Sequence, residues 1–261
     1  MTDYAAPVYI SKRNPVSFGQ TIFQGCLIVS VLSVAYLLIS TLSGSLSLPF
    51  AKTPEASDLT LSLIQCLLGA VALFIPKVMM KHTGIKLPDA MCSFFYIFIL
   101  CATVLGEVFS LYYAIPCWDS LLHFSSGIMA GMLGGILIVN FFKKKDCGNL
   151  ISPLFIAVAV VCFALCIGVV WEIYEFAADS LLGLNMQKFT VQDGTALIGQ
   201  AALADTMKDL IVDFAGAIVA AVSTFICLKH KKGWLSAYTE SKAVPFTRKF
   251  QVSEEVFPFS A

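Results

Sequence analysis

The stretch Trp171-Glu172-Ile173-Tyr174-Glu175-Phe176-Ala177-Ala178-Asp179 decides how this chain is read. It closes an apolar run that begins near Leu150. Its three carboxylates, at i, i+3 and i+7, fall within one narrow arc of a helix. The run is long enough to cross a bilayer, which takes roughly 20 residues. Acidic groups that deep in an apolar segment are costly and, by default, mark function.

Composition extends that reading to the whole chain. Of 261 residues, 58% are hydrophobic and 13% charged, and the mean hydropathy is +0.83. A soluble domain of this length is never so apolar, so the expected fold is an all-α, polytopic membrane bundle of six transmembrane helices. The spans are expected at about 21–42, 59–80, 88–115, 119–142, 150–182 and 204–228. A polar segment 1–20 precedes this domain of 21–228 and a polar tail 229–261 follows it. The first run is too long for a signal peptide and lacks a small-residue cleavage site after it. Net charge is zero, which gives no footing for nucleic acid. The nine cysteines show neither a CxxC pair nor a zinc-finger spacing, and Cys162 and Cys166, which share a helix face, read as packing.

Basic residues orient the bundle. Lys12 and Arg13, then Lys77, Lys81 and Lys86, then Lys143, Lys144 and Lys145, then Lys229, Lys231, Lys232, Lys242, Arg248 and Lys249 fall at one end; only Lys52, Lys188 and Lys208 fall at the other. The positive-inside rule then places both termini in the cytoplasm of a bacterial plasma membrane. On this topology the intramembrane acids sit together in depth, near the outer face. Glu107 lies in span three, Asp119 and His123 open span four at i, i+4, Glu172, Glu175 and Asp179 end span five, and Asp205, Asp209 and Asp213 repeat at i, i+4, i+8 in span six.

So many carboxylates cannot all be ionised in a partly apolar site without compensation. Lys208 is a nearby cation whose neighbours face other ways. Bound metal or shared protons are the general solutions. The candidate ligands are His123, Asp119, Glu172, Glu175, Asp205, Asp209, Asp213 and Glu107, with a divalent ion (Zn, Mn or Mg) as the implied cofactor. Glu172 and Asp209 are the candidate catalytic groups. Blander readings stand beside these: Asp119 and Asp205 as helix N-caps, Asp179 as a solvated interfacial acid, Glu107 as a satisfied buried acid, His123 as a structural hydrogen-bonder. A nucleophilic pairing of Ser125 or Ser126 with His123 is disfavoured, since adjacent residues on a helix point apart. Gly127, Gly131 and Gly135 form small-xxx-small motifs that let span four pack closely. Tyr112, Tyr113, Trp118, Trp171 and Tyr174 read as an interfacial aromatic belt. The loop 183–203 is a lid or a connector.

Trp118-Asp119-Ser120-Leu121-Leu122-His123, Ser126-Gly127, Trp171-Glu172-Ile173-Tyr174-Glu175-Phe176, Met186-Gln187-Lys188 and Asp205-Thr206-Met207-Lys208-Asp209-Leu210 resemble the YjdF-like family of bacterial integral-membrane proteins, over about residues 105–220. The resemblance implies the fold and the motif positions, and leaves the chemistry open. Family members commonly carry Asp where this chain has Asn185 and Phe189, so its loop is the less charged one. Three functions fit the residues. The first is a metal-dependent hydrolase or transferase acting on membrane lipid or a lipid-linked phosphate. The second is a cation or proton-coupled transporter or channel using the same acids. The third is a non-catalytic assembly partner stapled by metal.

Overall fold

A computed structural model describes residues 17–43, 56–144, 151–191 and 194–236. The expected N-terminal segment up to residue 16, Lys52, Lys145 and the tail from residue 237 lie outside the described residues.

Helices α1 (Phe18–Ser43), α2 (Ala56–Ala72), α3 (Ile75–Thr83), α4 (Asp89–Leu100), α5 (Leu111–Ala114), α6 (Trp118–Lys144), α7 (Pro153–Leu182) and α8 (Gln200–His230) make up the structure. Among the described residues, six stretches are long and apolar enough to cross a membrane: Phe18–Ser40, Ser62–Thr83, Asp89–Val108, Trp118–Lys143, Pro153–Leu182 and Gln200–His230. Large apolar side chains such as Ile39, Val71, Leu154, Val170 and Ile211 face outward from them. In lipid those side chains meet hydrocarbon, so their exposure is the expected arrangement.

Two spans depart from a plain helix. Span two breaks between Ala72 and Ile75, where Pro76 opens α3 and cannot donate to the preceding turn. In span three, α4 widens into a π-helical segment (Cys101–Val108) that carries Glu107, and Ser110, whose φ of 56° is left-handed, precedes α5. The 88–115 expectation therefore splits into α4, the π turn and the short α5. Span six begins four residues earlier than expected, at Gln200. Asp205 thus lies inside α8 and Gly199 holds the N-cap position, which removes the cap reading of Asp205.

The chain ends of α7 follow ordinary capping chemistry. Ser152 Oγ accepts from Phe155 N at 3.1 Å with Pro153 following, and Gly183 (φ 67°) closes the helix with its N–H on Asp179 O. The spans form two groups. One joins α1, α2, α4 and the π segment around Leu37, Cys66, Tyr96 and Val104. The other joins α6, α7 and α8. Lipid supplies no hydrophobic force between helices, so this second group relies on small residues. Ala130, Ala164 and Ala217 form a buried cluster there. At the α6–α8 crossing a Cβ on Gly127 would strike the Asp213 carbonyl, and one on Gly216 would strike the Phe124 carbonyl. The small-residue expectation for span four is therefore met, with α8 as partner.

The half of this group distant from the acids is closed by Ile136, Val139, Val160, Ala220 and Leu235, with Ile85, Leu87 and Met91 packed on them. Lys86, Lys143, Lys229, Lys231 and Lys232 flank that same end in sequence, and the acid-bearing helix termini gather at the opposite end.

Candidate metal centre

The close α6–α8 crossing sets His123 beside the acids of α8. His123 Nδ1 lies 3.3 Å from Asp213 Oδ2. Asp213 is held in turn: its Oδ1 accepts from Ser126 Oγ at 2.9 Å, and Gly168 of α7 leaves the room it needs, since a Cβ there would lie 2.5 Å from Oδ2. In the neutral tautomer that donates Nδ1–H to Asp213, the imidazole lone pair is left on Nε2. That atom faces Asp119 Oδ1 at 3.8 Å and Asp209 Oδ2 at 4.0 Å.

One ligand atom from each of Asp119, His123 and Asp209 lies within 4.8 Å of the others. Two atoms bound to one ion at about 2.0–2.2 Å each can be at most about 4.4 Å apart. The two histidine separations already satisfy that limit, and the third pair lies within 4.8 Å. Asp213 stands where a carboxylate would orient a metal-binding histidine from behind. Asp209 is 1% exposed and Glu172 5%, and Asp209 Oδ1 and Glu172 Oε1 are buried with no hydrogen-bond partner. Buried carboxylate oxygens without partners are costly unless a cation or a proton meets them.

The loop after α7 supplies a cation of its own. Asp179, for which the sequence leaves a solvated interfacial position as one of two readings, is buried and accepts the N–H groups of Met186 at 2.7 Å and Gln187 at 2.9 Å. The Asn185 side-chain amide donates to Thr190 O at 2.9 Å and accepts from Thr190 N at 3.0 Å, and Leu197 N donates to Phe189 O at 2.8 Å. This folded strap points Gln187 Nε2 at Thr206 Oγ1 (2.8 Å) and Glu172 Oε2 (3.4 Å). It also delivers the Lys188 ammonium between Asp119 and Asp205, at 3.1 Å from Asp205 Oδ2. Burial works against that charge, but the two carboxylates outweigh it and hold the amine well above its ordinary range. Lys188 adopts φ 48°, a left-handed conformation that a side chain with a Cβ seldom takes. The strap is thus a built part of the site, tied to both α7 and α8.

The sequence-derived candidates separate into groups. Asp119, His123 and Asp209 converge. Asp213 backs His123, Asp205 pairs with Lys188, and Glu172 faces Gln187 and Thr206. Glu175 accepts from Trp171 Nε1 at 2.9 Å, so Trp171 is tied to an acid as well as packed on the Tyr174 ring. Glu107 sits in the π segment, where Tyr112 feels Glu107, Asp119 and Glu175 together; burial first, then those carboxylates, push its phenol well above the usual range. Neither Glu107 nor Glu175 joins the three converging groups. Asp119 lies in the first turn of α6, where its acid also meets the positive end of the helix. Ser125 donates to Leu121 and Leu122 carbonyls and Ser126 to His123 O and Asp213, so no serine–imidazole pair forms among them.

Sequence reasoning overlooked Lys188, Gln187, Thr206 and Ser126 as members of the site. Lys208, the cation it named, is exposed on α8. The available signal was Met186-Gln187-Lys188, a polar turn directly joining two acid-bearing spans.

These features define a class: a six-span helical membrane protein with an imidazole and carboxylate cluster at one end of its second helix group. The chain belongs to the family described as predicted membrane protein DUF2238, whose model matches residues 25–230, and the YjdF-like resemblance agrees with that membership. It is similar to a Thermotoga maritima protein described only as uncharacterized, with 29% identity over 150 residues, 55% of this chain and 66% of that protein's length. No solved structure matches it significantly.

Proposed function

We propose that this protein is a metal-dependent membrane enzyme that hydrolyses or transfers a phosphate carried on a lipid, near the outer face of a bacterial plasma membrane, with both termini in the cytoplasm. The observation that carries the reading is His123, anchored through Nδ1 by Asp213 while Nε2 faces Asp119 and Asp209. A histidine with two carboxylates suits Zn or Mn, and three protein ligands leave coordination positions open. A bound ion there supplies Lewis-acid polarisation of a phosphoryl oxygen and a more acidic water. Glu172, with one oxygen on Gln187 and the other free, accepts a proton from the attacking water. Lys188 sits beside Asp119 and offsets negative charge as it builds at the phosphate.

The apolar packing at the opposite end of α6, α7 and α8 gives no support to a conduction path, which sets the transporter reading lower. One observation favours a non-catalytic reading: Lys188 already pairs with Asp119 and Asp205, so the cluster can serve as an electrostatic staple for the loop.

The test is purified protein assayed for bound metal and for phosphate release from phosphatidic acid and an isoprenyl diphosphate in vesicles. The expected result is near-stoichiometric Zn or Mn, lost in His123→Ala and Asp209→Ala, with turnover lost but metal kept in Glu172→Gln. Metal at trace level in all of them, with no phosphate release, removes the enzyme reading and leaves the staple.

A further inference from the structure

At the end of α8 opposite to Asp205 and Asp209, an open groove of about 430 Å³ runs along Ile218, Val219, Val222, Ser223, Ile226 and Cys227. Its four branched aliphatic side chains are exposed, so in a bilayer the groove faces hydrocarbon. Helical spacing carries the same face to the end of the element: Lys229 and His230 stand three and four residues beyond Ile226, and both are exposed. The chain then turns back over the groove. Lys231 is left-handed at φ 52°, Lys232 N donates to Cys227 O at 3.2 Å, and Trp234 Nε1 donates to Ser223 Oγ at 3.0 Å. Gly233 (φ 94°) lies so near Cys227 that a Cβ on it would stand 2.7 Å from Sγ. Ser223 and Cys227 both line the groove, so the turn 231–234 forms its rim and presents its lysines there.

We propose that this groove binds an anionic phospholipid of the leaflet at that end, cytoplasmic in the orientation proposed above. One acyl chain lies along Val222 and Ile226, and the phosphate lies among Lys229, Lys231 and Lys232. Depth supports that order. The span ends at His230, so the lysines sit at the membrane face and the groove lies deeper. From Lys229 to Val219 a helix advances about 15 Å, at 1.5 Å per residue, which is about half the roughly 30 Å hydrocarbon core and so the depth of one leaflet. Charge supports an anionic head. Among the described residues, no ion pair takes up Lys229, Lys231 or Lys232, and long lysine side chains reach headgroup level from a helix end. A phosphatidylcholine head would bring its own ammonium against them. A second copy seated there in the same orientation would bring its lysines to the same depth, like charge against like. Trp234, an amphipathic ring tied by its N–H to Ser223, holds the rim at the interface. The site stands apart from the metal reading and does not depend on it.

The experiment places full-length protein in phosphatidylcholine vesicles with a low fraction of photoactivatable phosphatidylglycerol, or of photoactivatable phosphatidylcholine bearing the same diazirine chain. Crosslinks are mapped by peptide mass spectrometry. Labelling of residues 218–227 is expected to be at least about five-fold stronger from phosphatidylglycerol, the preference that one lysine contributes near anionic lipid. Ile28 and Leu32, exposed on α1 at similar depth from the same end, serve as the comparison and should take both probes equally. Lys229→Gln with Lys232→Gln should bring the two probes close to level on α8. The wild-type comparison stands even where that variant does not fold. Equal labelling of the wild-type groove by both probes, or a phosphatidylglycerol preference as large on α1 as on α8, overturns the proposal. Absence of label from either probe means that another protein surface covers the groove, which overturns it as well.

Discussion

The two nitrogens of His123 have different jobs, and each can be tested. Asp213 holds Nδ1 at 3.3 Å and fixes which nitrogen is free. Asp213→Asn keeps the shape but loses the charged acceptor. Loss of such a backing group typically costs 10–100-fold in metal affinity, so chelator competition with Zn should show a drop of about that size while the protein stays folded. Lys188 works in the opposite direction, as a cation competing for Asp119. Lys188→Met is expected to lower Tm in chelator, where Asp119 and Asp205 lose their partner, and to show a larger rise in Tm on adding Zn than the wild type does. An unchanged metal response would mean that the ammonium and the ion do not share a carboxylate. The acids of this site were legible because helical spacing places side chains predictably. Lys188 was not, because its position depends on a strap whose path follows from Asp179 and Asn185 rather than from any period.

At the scale of elements, the strap and the α6–α8 crossing carry the site. Asp179→Ala leaves the part-buried N–H groups of Met186 and Gln187 without their acceptor, at a cost of about 1 kcal/mol for each lost bond. Hydrogen exchange should quicken across residues 184–191 and 194–198 and stay slow in α6 and α8. If α6 and α8 loosen to the same degree, the strap is not a separate docked unit. Gly216→Leu drives a side chain into the Phe124 carbonyl and is expected to lower stability by about 1–3 kcal/mol or more and to abolish metal binding. The six apolar runs located the helices to within a few residues, except at the end of span three, which stops at Val108 rather than 115. The break at Ala72–Ile75 and the π turn at Cys101–Val108 escaped notice because a bend changes hydrogen bonding without changing hydrophobicity.

At the scale of the molecule, the account places the acid-bearing end outside the cell. Cys117 is an exposed free cysteine at that end, beside the start of α6, and Cys227 lies towards the other. A membrane-impermeant maleimide added to intact cells should label the protein, and Cys117→Ser should remove the label. Labelling only after lysis would reverse the orientation that the lysines imply. Cys162 and Cys166, exposed on α7 within the bilayer, should react only with a membrane-permeant reagent. Orientation was read from charge counts alone, whereas the division into two helix groups depends on which small residues meet, a pairing that periodicity does not encode.

The most direct measurement is X-ray absorption on the purified, Zn-loaded protein. One imidazole nitrogen and carboxylate oxygens at about 2.0–2.2 Å, with the nitrogen lost in His123→Ala, is the spectrum expected of ligation by Asp119, His123 and Asp209. A Zn shell with no imidazole, or one identical in the variant, would contradict it.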